Sequence, residues 1–491
     1  MLYLVKLFPE ITIKSRPVRK RFIRQLRKNL KAVLRGIDDG VAVRGEWDSL
    51  EVEVASADRN LNDRIIERLA NTPGISIFLE VEKSELPDLQ GILDKALPLY
   101  KDRLKGQTFA VRCKRMGRHT FKSVDVERFV GAGLHAATEH AGVSLNKPDV
   151  TVSIEIKDDS LYMVKARHQG MGGFPLGCQN SVLSLISGGF DSAVSSYLCI
   201  KRGLQTHYCF FNLGGKAHEL AVKEVALFLW MKYHSSHRVQ FISVPFEPVV
   251  AEILNRVEDA QMGVILKRMM LRVADKIARN MDIHALVTGE SVAQVSSQTL
   301  VNLAVIDDAS ETLVLRPLAT SDKQDIIDIA RKIGTEEFSK DIPEYCAVIS
   351  KSPTTRARMS RIEKEEARFD FAVLEQAIEQ SNVQLITEVV ADIDASLPEV
   401  KVVHAIDADS IVIDIRHPNE AEKATPALAG SGCELLNIPF YSLRSKIQEL
   451  DTEKQYLLYC EQGMMSRLHA SHLLDQGFAN IAVLDLKTPS S

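Results

Sequence analysis

Hydrophobic and polar residues alternate along the first 165 residues in a way that predicts short strands separated by amphipathic helices. Strands are predicted at 2–14, 49–54, 76–81, 107–112, 150–156 and 160–165. Helices are predicted at 17–35, 60–70, 86–104 and 124–140. The opening strand–helix–strand order suits a small α+β domain of ferredoxin type.

From residue 181 the pattern changes to a regular alternation of apolar runs and helical stretches. Strands are predicted at 182–186, 205–211, 238–244 and 284–288, and helices at 193–202, 216–233, 248–258 and 263–280. This alternation predicts a doubly wound parallel sheet, in which ligands bind at the carboxyl ends of the strands.

A second, shorter α/β pattern ends the chain. Its strands are predicted at 410–416, 434–438, 455–459 and 481–485, and its helices at 442–450 and 465–476. A Gly-rich stretch, 169–177, and an acidic stretch, 359–400, are interpreted as connections. We therefore expect an α/β multidomain protein with domains at 1–62, 63–167, 175–385 and 406–489 and a linker at 386–405.

Composition places the 491-residue chain among globular proteins, with 45% hydrophobic and 26% charged residues. No apolar run approaches the ~18 residues that span a membrane, and the start has no signal-peptide pattern. A cytoplasmic protein is expected. The seven cysteines include no C-x-x-C pair, and the thirteen histidines show no H-E-x-x-H spacing. We therefore predict no protein-bound zinc or iron–sulfur cluster.

Net charge is only −4, but the charges are unevenly distributed. Residues 1–36 hold eleven Lys/Arg against one acid, 101–122 hold eight against one, and 361–400 hold three against ten. The two basic regions predict a polyanion site. Its candidate phosphate contacts are Arg24, Arg27, Lys28, Lys31, Arg112, Lys114, Arg115, Arg118 and Lys122. A solvated helix surface, or for the first helix a membrane surface, is the alternative.

The segment Ser187-Gly188-Gly189-Phe190-Asp191-Ser192 lies between the strand 182–186 and the helix 193–202. A strand that turns on glycines into a helix presents backbone N–H groups to an anion such as phosphate. The lysine and spacing of a Walker A loop are absent. The segment resembles the SGGxDS signature of PP-loop pyrophosphatases, which adenylate a substrate and release pyrophosphate. An ordinary βα turn is the alternative.

Cys460 lies between the predicted strand 455–459 and the predicted helix 465–476. It begins the segment Cys460-Glu-Gln-Gly463-Met-Met-Ser466-Arg467. A helix N-terminus stabilises a thiolate there, whereas a buried strand-end cysteine would be inert. The loop resembles the active-site loop of rhodanese domains, and Asp414-Ile-Arg416 resembles the D-x-R that opens those domains. Leu484-Asp485-Leu486 departs from the Gly-Gly ending of many members. In CxxxxxR phosphatases the arginine follows the cysteine by six residues; here it follows by seven, which favours sulfur transfer.

A further cysteine lies in the segment Pro343-Glu-Tyr-Cys346-Ala-Val-Ile-Ser-Lys-Ser-Pro353. Its position between these two motifs favours a functional role for this segment. The whole order resembles the ThiI family of tRNA uracil 4-sulfurtransferases. That resemblance implies an N-terminal ferredoxin-like domain, a THUMP domain for RNA binding, a PP-loop domain and a C-terminal rhodanese domain. The segment Phe109-x-Val-Arg112-x-Lys114-Arg115-x-Gly117-x-His119 is similar to the THUMP signature.

The resemblance implies thiolation of uridine at position 8 of tRNA to 4-thiouridine. ATP, with Mg²⁺, would adenylate O4, and a persulfide on Cys460, loaded by a cysteine desulfurase, would attack C4. Cys346 would attack the Cys460 sulfur, either releasing sulfide or resolving the covalent intermediate, and leave a Cys346–Cys460 disulfide. The family also allows a homodimer and sulfur donation to a thiazole sulfur-carrier protein. Two alternatives stay open. The protein could be a persulfide carrier that serves mainly thiazole synthesis, or it could bind RNA without thiolating it.

The same resemblance suggests which residues bind ATP. They are Leu185, Ile186, Ser187, Gly188, Gly189, Asp191, Ser192, Lys267, Gly289 and Gln298. Lys267 has an alternative, because Lys267, Arg268 and Arg272 could form a solvated helix face. Lys323 follows Ser321 in an S-x-x-Q pattern that predicts a capping box. A lysine at a helix N-terminus requires a nearby anion such as phosphate. Asp191 could bind Mg²⁺ or orient the reacting groups.

Overall fold

The computed structural model describes the chain except for residues 36, 38–39, 46–48, 56–58, 214, 341–348, 390–399, 408–409, 417–432, 439–442, 444–445, 452–453, 461–463, 476 and 487–491. The chain divides into two compact units, 1–175 and 176–491. The boundary falls inside the Gly-rich segment predicted as a connection.

The first unit is built on one mixed sheet with helices packed against it. Its strands are β1 (Leu2–Leu7), β2 (Ala42–Arg44), β3 (Ser49–Glu53), β4 (Ile75–Glu85), β5 (Thr108–Met116), β6 (Gly142–Val143), β7 (Val150–Lys157) and β8 (Ser160–Gln169). Its helices are α1 (Pro9–Thr12), α2 (Arg16–Arg35), α3 (Arg59–Ala70), α4 (Leu89–Tyr100) and α5 (Ser123–Ala137).

The strands follow the order β2-β3-β1-β4-β8-β7-β5-β6 in a single eight-stranded sheet. The strand β4 joins the two halves, because it pairs antiparallel with β1 on one side and with β8 on the other. The domain boundary predicted between residues 62 and 63 falls within the helix α3. The expected α+β modules are present, and they share a sheet.

The helix α2 places an apolar stripe on the sheet and leaves basic residues outside. Phe22, Ile23, Leu26, Leu30 and Leu34 are buried. Their spacing follows the 3.6-residue period of an amphipathic helix.

The second unit begins with the predicted parallel sheet. Its strands are β9 (Ser181–Leu185), β10 (Gln205–Asn212), β11 (Gln240–Pro245), β12 (Ala285–Val287), β13 (Leu313–Leu315) and β14 (Asn382–Leu385). Its helices are α6 (Phe190–Lys201), α7 (Gly215–Leu229), α8 (Glu247–Arg256), α9 (Met262–Asn280), α10 (Leu300–Asp307), α11 (Lys323–Ile333), α12 (Glu336–Lys340), α13 (Met359–Glu366) and α14 (Ala372–Glu379). The strand order is β13-β12-β9-β10-β11-β14, and all but β14 run parallel. The predicted doubly wound sheet is confirmed.

The acidic segment interpreted as an exit linker is part of this domain up to residue 389. Ile362, Phe369 and Leu374 are buried in its main core, and β14 pairs antiparallel with β11. The interpretation of residues 359–389 as a connection is therefore wrong, and most of them fall within the range 175–385 that was predicted for this domain. Residues 390–399 lie outside the described residues. The acidic composition was misleading because Glu366 is neutralised by Arg268 across the fold, with Nε to Oε1 at 2.7 Å.

The end of the chain forms a separate five-stranded parallel sheet. Its strands are β15 (Val402–Val403), β16 (Ser410–Asp414), β17 (Leu435–Asn437), β18 (Gln455–Tyr459) and β19 (Ile481–Leu484), in the order β15-β19-β18-β16-β17. The helix α15 (Met464–Asp475) follows β18. The predicted helix 442–450 lies largely outside the described residues, apart from a 3₁₀ turn at Ile447–Glu449. Among the described helices, none has the length and apolar composition of a membrane span.

Candidate active site

The turn between β9 and α6 has the geometry of an anion-binding loop. Gly188 has φ +82°, a conformation that glycine adopts without strain, and α6 begins immediately after Gly189. The Ser192 hydroxyl donates to the Gly189 carbonyl at 3.0 Å and accepts from the Ser187 N–H at 3.2 Å. From α12, the Ser339 hydroxyl donates to the Gly188 carbonyl at 2.8 Å. The loop is therefore held in shape from both sides.

A cavity of about 520 Å³ opens above this loop. It is lined by every residue predicted to bind ATP except Gly188, together with residues that the prediction missed. The Ile186 N–H is not available to a ligand, because it donates to the Cys209 carbonyl at 2.9 Å. The cavity lies at the carboxyl ends of the central strands, as expected for a doubly wound sheet.

Gly289 follows β12 and lies against the start of α6. A Cβ atom at Gly289 would lie 2.6 Å from the Asp191 carbonyl carbon and 2.7 Å from the Ser192 nitrogen. Because both neighbours are backbone atoms, only glycine allows this approach. Gly289 therefore sets the distance between the end of β12 and the start of α6.

Asp191 is held by two partners from different segments. Lys323 Nζ lies 2.8 Å from Asp191 Oδ1, and Gln294 Nε2 donates to Oδ2 at 2.8 Å. The anion that the N-terminal position of Lys323 requires is therefore Asp191 itself. The capping box predicted from Ser321 is wrong, because Asp322 is the N-cap of α11 and makes no side-chain capping bond.

Lys267 faces the cavity and forms an ion pair with Glu290, Nζ to Oε1 at 2.8 Å. Glu290 also accepts from Arg316 Nε at 2.9 Å. Burial alone would raise the pKa of Glu290, but Lys267 and Arg316 outweigh it and hold the pKa at about 2. The solvated face proposed as the alternative for Lys267 is wrong, because the Arg268 side chain is 1% exposed.

Residues 349–357 form another wall of the cavity, which Ile349, Ser350 and Pro353 line. Asp259 anchors this wall by accepting from the backbone N–H groups of Lys351 and Ser352 at 3.0 and 2.9 Å. The hydrogen bonds to the Lys351 and Ser352 N–H groups lower the pKa of Asp259 and thus keep it ionised.

A second anchor of the same wall is Asn302, which is fully buried. Its amide donates to the Thr354 carbonyl and to the Ser296 carbonyl, both at 2.8 Å, and its oxygen accepts from the Ala357 N–H at 2.8 Å. Cys346, four residues before Ser350, lies outside the described residues.

Cys460 directly follows β18, lies four residues before α15, and is 8% exposed. Its sulfur accepts from the Ser466 N–H at 3.3 Å and lies 3.3 Å from the Ser466 hydroxyl. Arg467 forms an ion pair with Asp485, NH2 to Oδ2 at 3.8 Å. Gly463 lies outside the described residues. Asp414 and Arg416 form a paired interaction, Arg416 NH2 to Asp414 Oδ2 at 2.6 Å.

Three other cysteines lie in cores. Burial raises the pKa of Cys113 to about 11 and that of Cys199 to about 12, and it also raises the pKa of Cys209. These side chains are thus thiols at neutral pH, and none of them has a helix N-terminal loop around it.

The candidate phosphate-binding residues of the first unit fall into two groups. Arg112 and Arg115 donate to backbone carbonyls, those of Val111 and Gly117 among them. The other group is exposed and makes no ion pair with the described part of the chain: Arg24, Lys28, Lys31, Lys114, Arg118 and Lys122. Arg27 is half-buried. The second group can meet an external polyanion.

Sequence reasoning missed several residues of the cavity. Phe210 and His218 line it with their rings 4.9 Å apart, and burial lowers the pKa of His218. Phe210 lies near the carboxyl end of β10, and His218 lies in the helix α7 that follows it. The carboxyl end of a strand in a doubly wound sheet was a usable signal. Gln294 and Asp259 gave no such signal, because their partners are distant in sequence.

Relatives of known name match the chain over nearly its whole length. The tRNA sulfurtransferase of Azotobacter vinelandii is 55% identical over 98% of this chain and 99% of its own. This chain belongs to the tRNA sulfurtransferase family. Another family member, from Pseudomonas aeruginosa, is 54% identical with the same coverage. The family resemblance inferred from the motifs is confirmed.

Family models and a solved structure agree with this membership. A ferredoxin-like ThiI domain matches residues 2–78, a THUMP domain 87–164, and the model described as "Thiamine biosynthesis protein (ThiI)" 177–371. The crystal structure of a 4-thiouridine synthetase–RNA complex with bound ATP is similar at a TM-score of 0.68 and 27% identity. The match covers 78% of this chain and 99% of the synthetase chain.

Proposed function

We propose that this sulfurtransferase uses ATP to adenylate O4 of uridine at position 8 of tRNA and replaces that oxygen with sulfur, forming 4-thiouridine. The observation that carries the proposal is the cavity. It gathers the PP-loop, Lys267, Gly289 and Gln298 around one space, in a chain similar to a synthetase whose structure holds RNA and ATP.

The cavity residues suit a nucleoside triphosphate. The N–H groups at the start of α6 and the ammonium groups of Lys267 and Lys323 offer hydrogen bonds and positive charge to phosphate oxygens. Uracil O4 attacks the α-phosphorus of ATP, pyrophosphate leaves, and the N3 proton is lost. The former carbonyl oxygen then departs from C4 as part of AMP, which makes the later substitution feasible.

A Mg²⁺ ion that accompanies ATP would meet no unpaired carboxylate among the described residues that line the cavity. Of these residues, Asp191 is held by Lys323 and Gln294, and Glu290 is held by Lys267 and Arg316. We therefore assign Asp191 the role of orienting Lys323 rather than that of a metal ligand.

Sulfur is proposed to arrive as a persulfide on Cys460 in a rhodanese-type domain. A cysteine desulfurase supplies it, and the terminal sulfur attacks C4 while AMP leaves. Cys346 then attacks the Cys460 sulfur, which leaves sulfur on the base and a Cys346–Cys460 disulfide for a dithiol to reduce. Support comes from the parallel sheet, the position of Cys460 before α15 and its Ser466 contacts.

The exposed cations of the first unit are proposed to bind tRNA phosphates. A homodimer and a thiazole sulfur-carrier protein as a second sulfur acceptor are further proposals from the family. A cytoplasmic location is proposed on the same basis.

The test is reconstitution with ATP, cysteine, a desulfurase and unmodified tRNA, followed by nucleoside mass analysis. We expect 4-thiouridine from the wild-type protein, none from Cys460→Ala, and the wild-type amount from the matched control Cys199→Ala. Asp191→Ala should accept labelled sulfur from cysteine without transferring it to tRNA. Absence of 4-thiouridine with the wild-type protein would contradict the proposal.

A further inference from the structure

The Gln294 amide is fixed in one orientation at the edge of the cavity. Its Nε2 donates to Asp191 Oδ2 at 2.8 Å. Because a carboxylate only accepts hydrogen bonds, the amide cannot be flipped without facing oxygen to oxygen. Oε1 must therefore point away from Asp191, and it accepts no hydrogen bond from the part of the chain that the structure describes.

The segment that carries Gln294 is held rigidly. The preceding residue, Ala293, has φ +66°, a conformation that L-residues adopt only when the surrounding structure enforces it. The Ala293 N–H donates to the Gln298 carbonyl at 2.9 Å, and the Ser291 hydroxyl donates to the Ser321 carbonyl at 3.0 Å. The position of the Gln294 amide is thus set before any ligand binds.

A second glutamine of the same segment is more deeply buried than Gln294. Gln298 lines the cavity and is 8% exposed, and its buried Oε1 has no hydrogen-bond partner in the described residues. A buried amide oxygen without a donor is costly, so the arrangement indicates ligand groups that donate. The proposed reaction brings two bases together, and each has such a donor: the N6 amine of adenine and N3–H of uracil.

We propose that Gln294 reads the acceptor base, with Oε1 accepting the hydrogen bond of uracil N3–H while Gln298 serves the adenine. This inference rests on the proposed function. Gln294 is the glutamine beside Asp191 and Lys323, where the acceptor base must approach the phosphate. Cytosine carries a lone pair at N3 instead of a hydrogen, so it would face Oε1 with a second acceptor. Gln294 therefore selects uracil over cytosine.

The test is a double-mutant cycle that changes residue 294 of the protein and atom N3 of the base. It uses tRNA with either uridine or 3-deazauridine at position 8. The second base has C–H in place of N3–H and carries O4 as a hydroxyl group. We measure single-turnover thiolation and compare the ratio of kcat/KM values, uridine over 3-deazauridine. Intrinsic reactivity differences between the bases are the same for all protein variants and cancel in the comparison.

Loss of one hydrogen bond should lower this ratio about tenfold in Gln294→Leu relative to wild type. The matched control is Gln324→Leu: Gln324 also donates its amide to an aspartate, Asp328 Oδ1 at 2.9 Å, but does not line the cavity. Its ratio should equal that of the wild type. An unchanged ratio in Gln294→Leu, with the uridine rate reduced, would overturn the proposal and leave Gln294 acting only through Asp191.

If Gln294→Leu fails to fold, Gln294→Asn tests the same hydrogen bond. Its amide is one methylene too short to reach both partners, so the ratio must again fall. ATP binding and thermal unfolding of each variant check that the cavity is intact. A wild-type protein that forms no 4-thiouridine would contradict the proposed function. If the wild-type protein forms 4-thiouridine and the ratio is unchanged in both variants, only the proposal that Gln294 recognises uracil N3–H is contradicted.

Discussion

Substituting Gly289 with alanine tests the cavity geometry directly. The added Cβ would lie 2.6 Å from the Asp191 carbonyl carbon, and ordinary van der Waals contact begins at 3.4 Å. The end of β12 and the start of α6 must therefore separate by about 0.8 Å. Overpacking of this kind costs about 1–3 kcal/mol of folding free energy. A displacement of about 1 Å at a reacting group lowers the rate about 100-fold.

The assay is ATP-dependent formation of 4-thiouridine, with kcat/KM for ATP and thermal unfolding measured on the same preparations. We expect kcat/KM to fall about 100-fold in Gly289→Ala. The control is Gly263→Ala, because Gly263 also lines the cavity but a Cβ there meets nothing within 4 Å. It should retain wild-type kinetics. Wild-type kcat/KM in Gly289→Ala would refute the argument that this approach positions the PP-loop.

Two further substitutions test the electrostatic arguments. Glu290→Gln leaves two cations facing a neutral amide in a buried site, so the free energy of unfolding in urea should fall by about 3–5 kcal/mol. Because the pKa of Glu290 falls from 4.5 to about 2, its contribution is complete above pH 4.5 and is lost as the pH falls toward 2. The stability gap between variant and wild type should therefore close over that range, and a constant gap would contradict the ion-pair account. Neutralising Arg24, Lys28 and Lys31 together should lower the slope of log K against log salt for tRNA binding by about 2–3, whereas Lys165→Gln, whose lysine is already paired with an acid, should leave it unchanged. Equal slopes in the wild type and both variants would show that the α2 cations form a solvated surface and do not contact tRNA phosphates.

The regular elements were predictable because burial imposes their period. The apolar runs 182–186 and 205–211 became adjacent parallel strands, since strands buried on both faces are continuously apolar. The acidic segment after residue 359 was interpreted as a connection, although its first part fell within the range 175–385 that was predicted for the domain. Its charges suggested solvent exposure, but Glu366 is stabilised by Arg268, 98 residues earlier in the chain. Local composition contains no information about a partner that distant.

The candidate site shows the same limit. The SGGxDS turn and Thr288-Gly289-Glu290 could be predicted, because strand ends and glycines mark ligand sites in a doubly wound sheet. The position of Lys323 correctly indicated a nearby anion. That the anion is Asp191, 132 residues away, and that Gln294 occupies its second oxygen follow only from the tertiary structure.

The central claim is that uracil O4 becomes attached to phosphorus before sulfur replaces it. It can be tested with tRNA that carries ¹⁸O at O4 of uridine 8, ATP of natural isotopic composition and the complete sulfur-donating system. Mass analysis of the AMP released during one round of thiolation is the measurement. The account predicts one ¹⁸O atom in AMP for each 4-thiouridine formed, because the C4–O4 bond breaks while the O4–phosphorus bond persists. Unlabelled AMP, with ¹⁸O recovered in water, would contradict it.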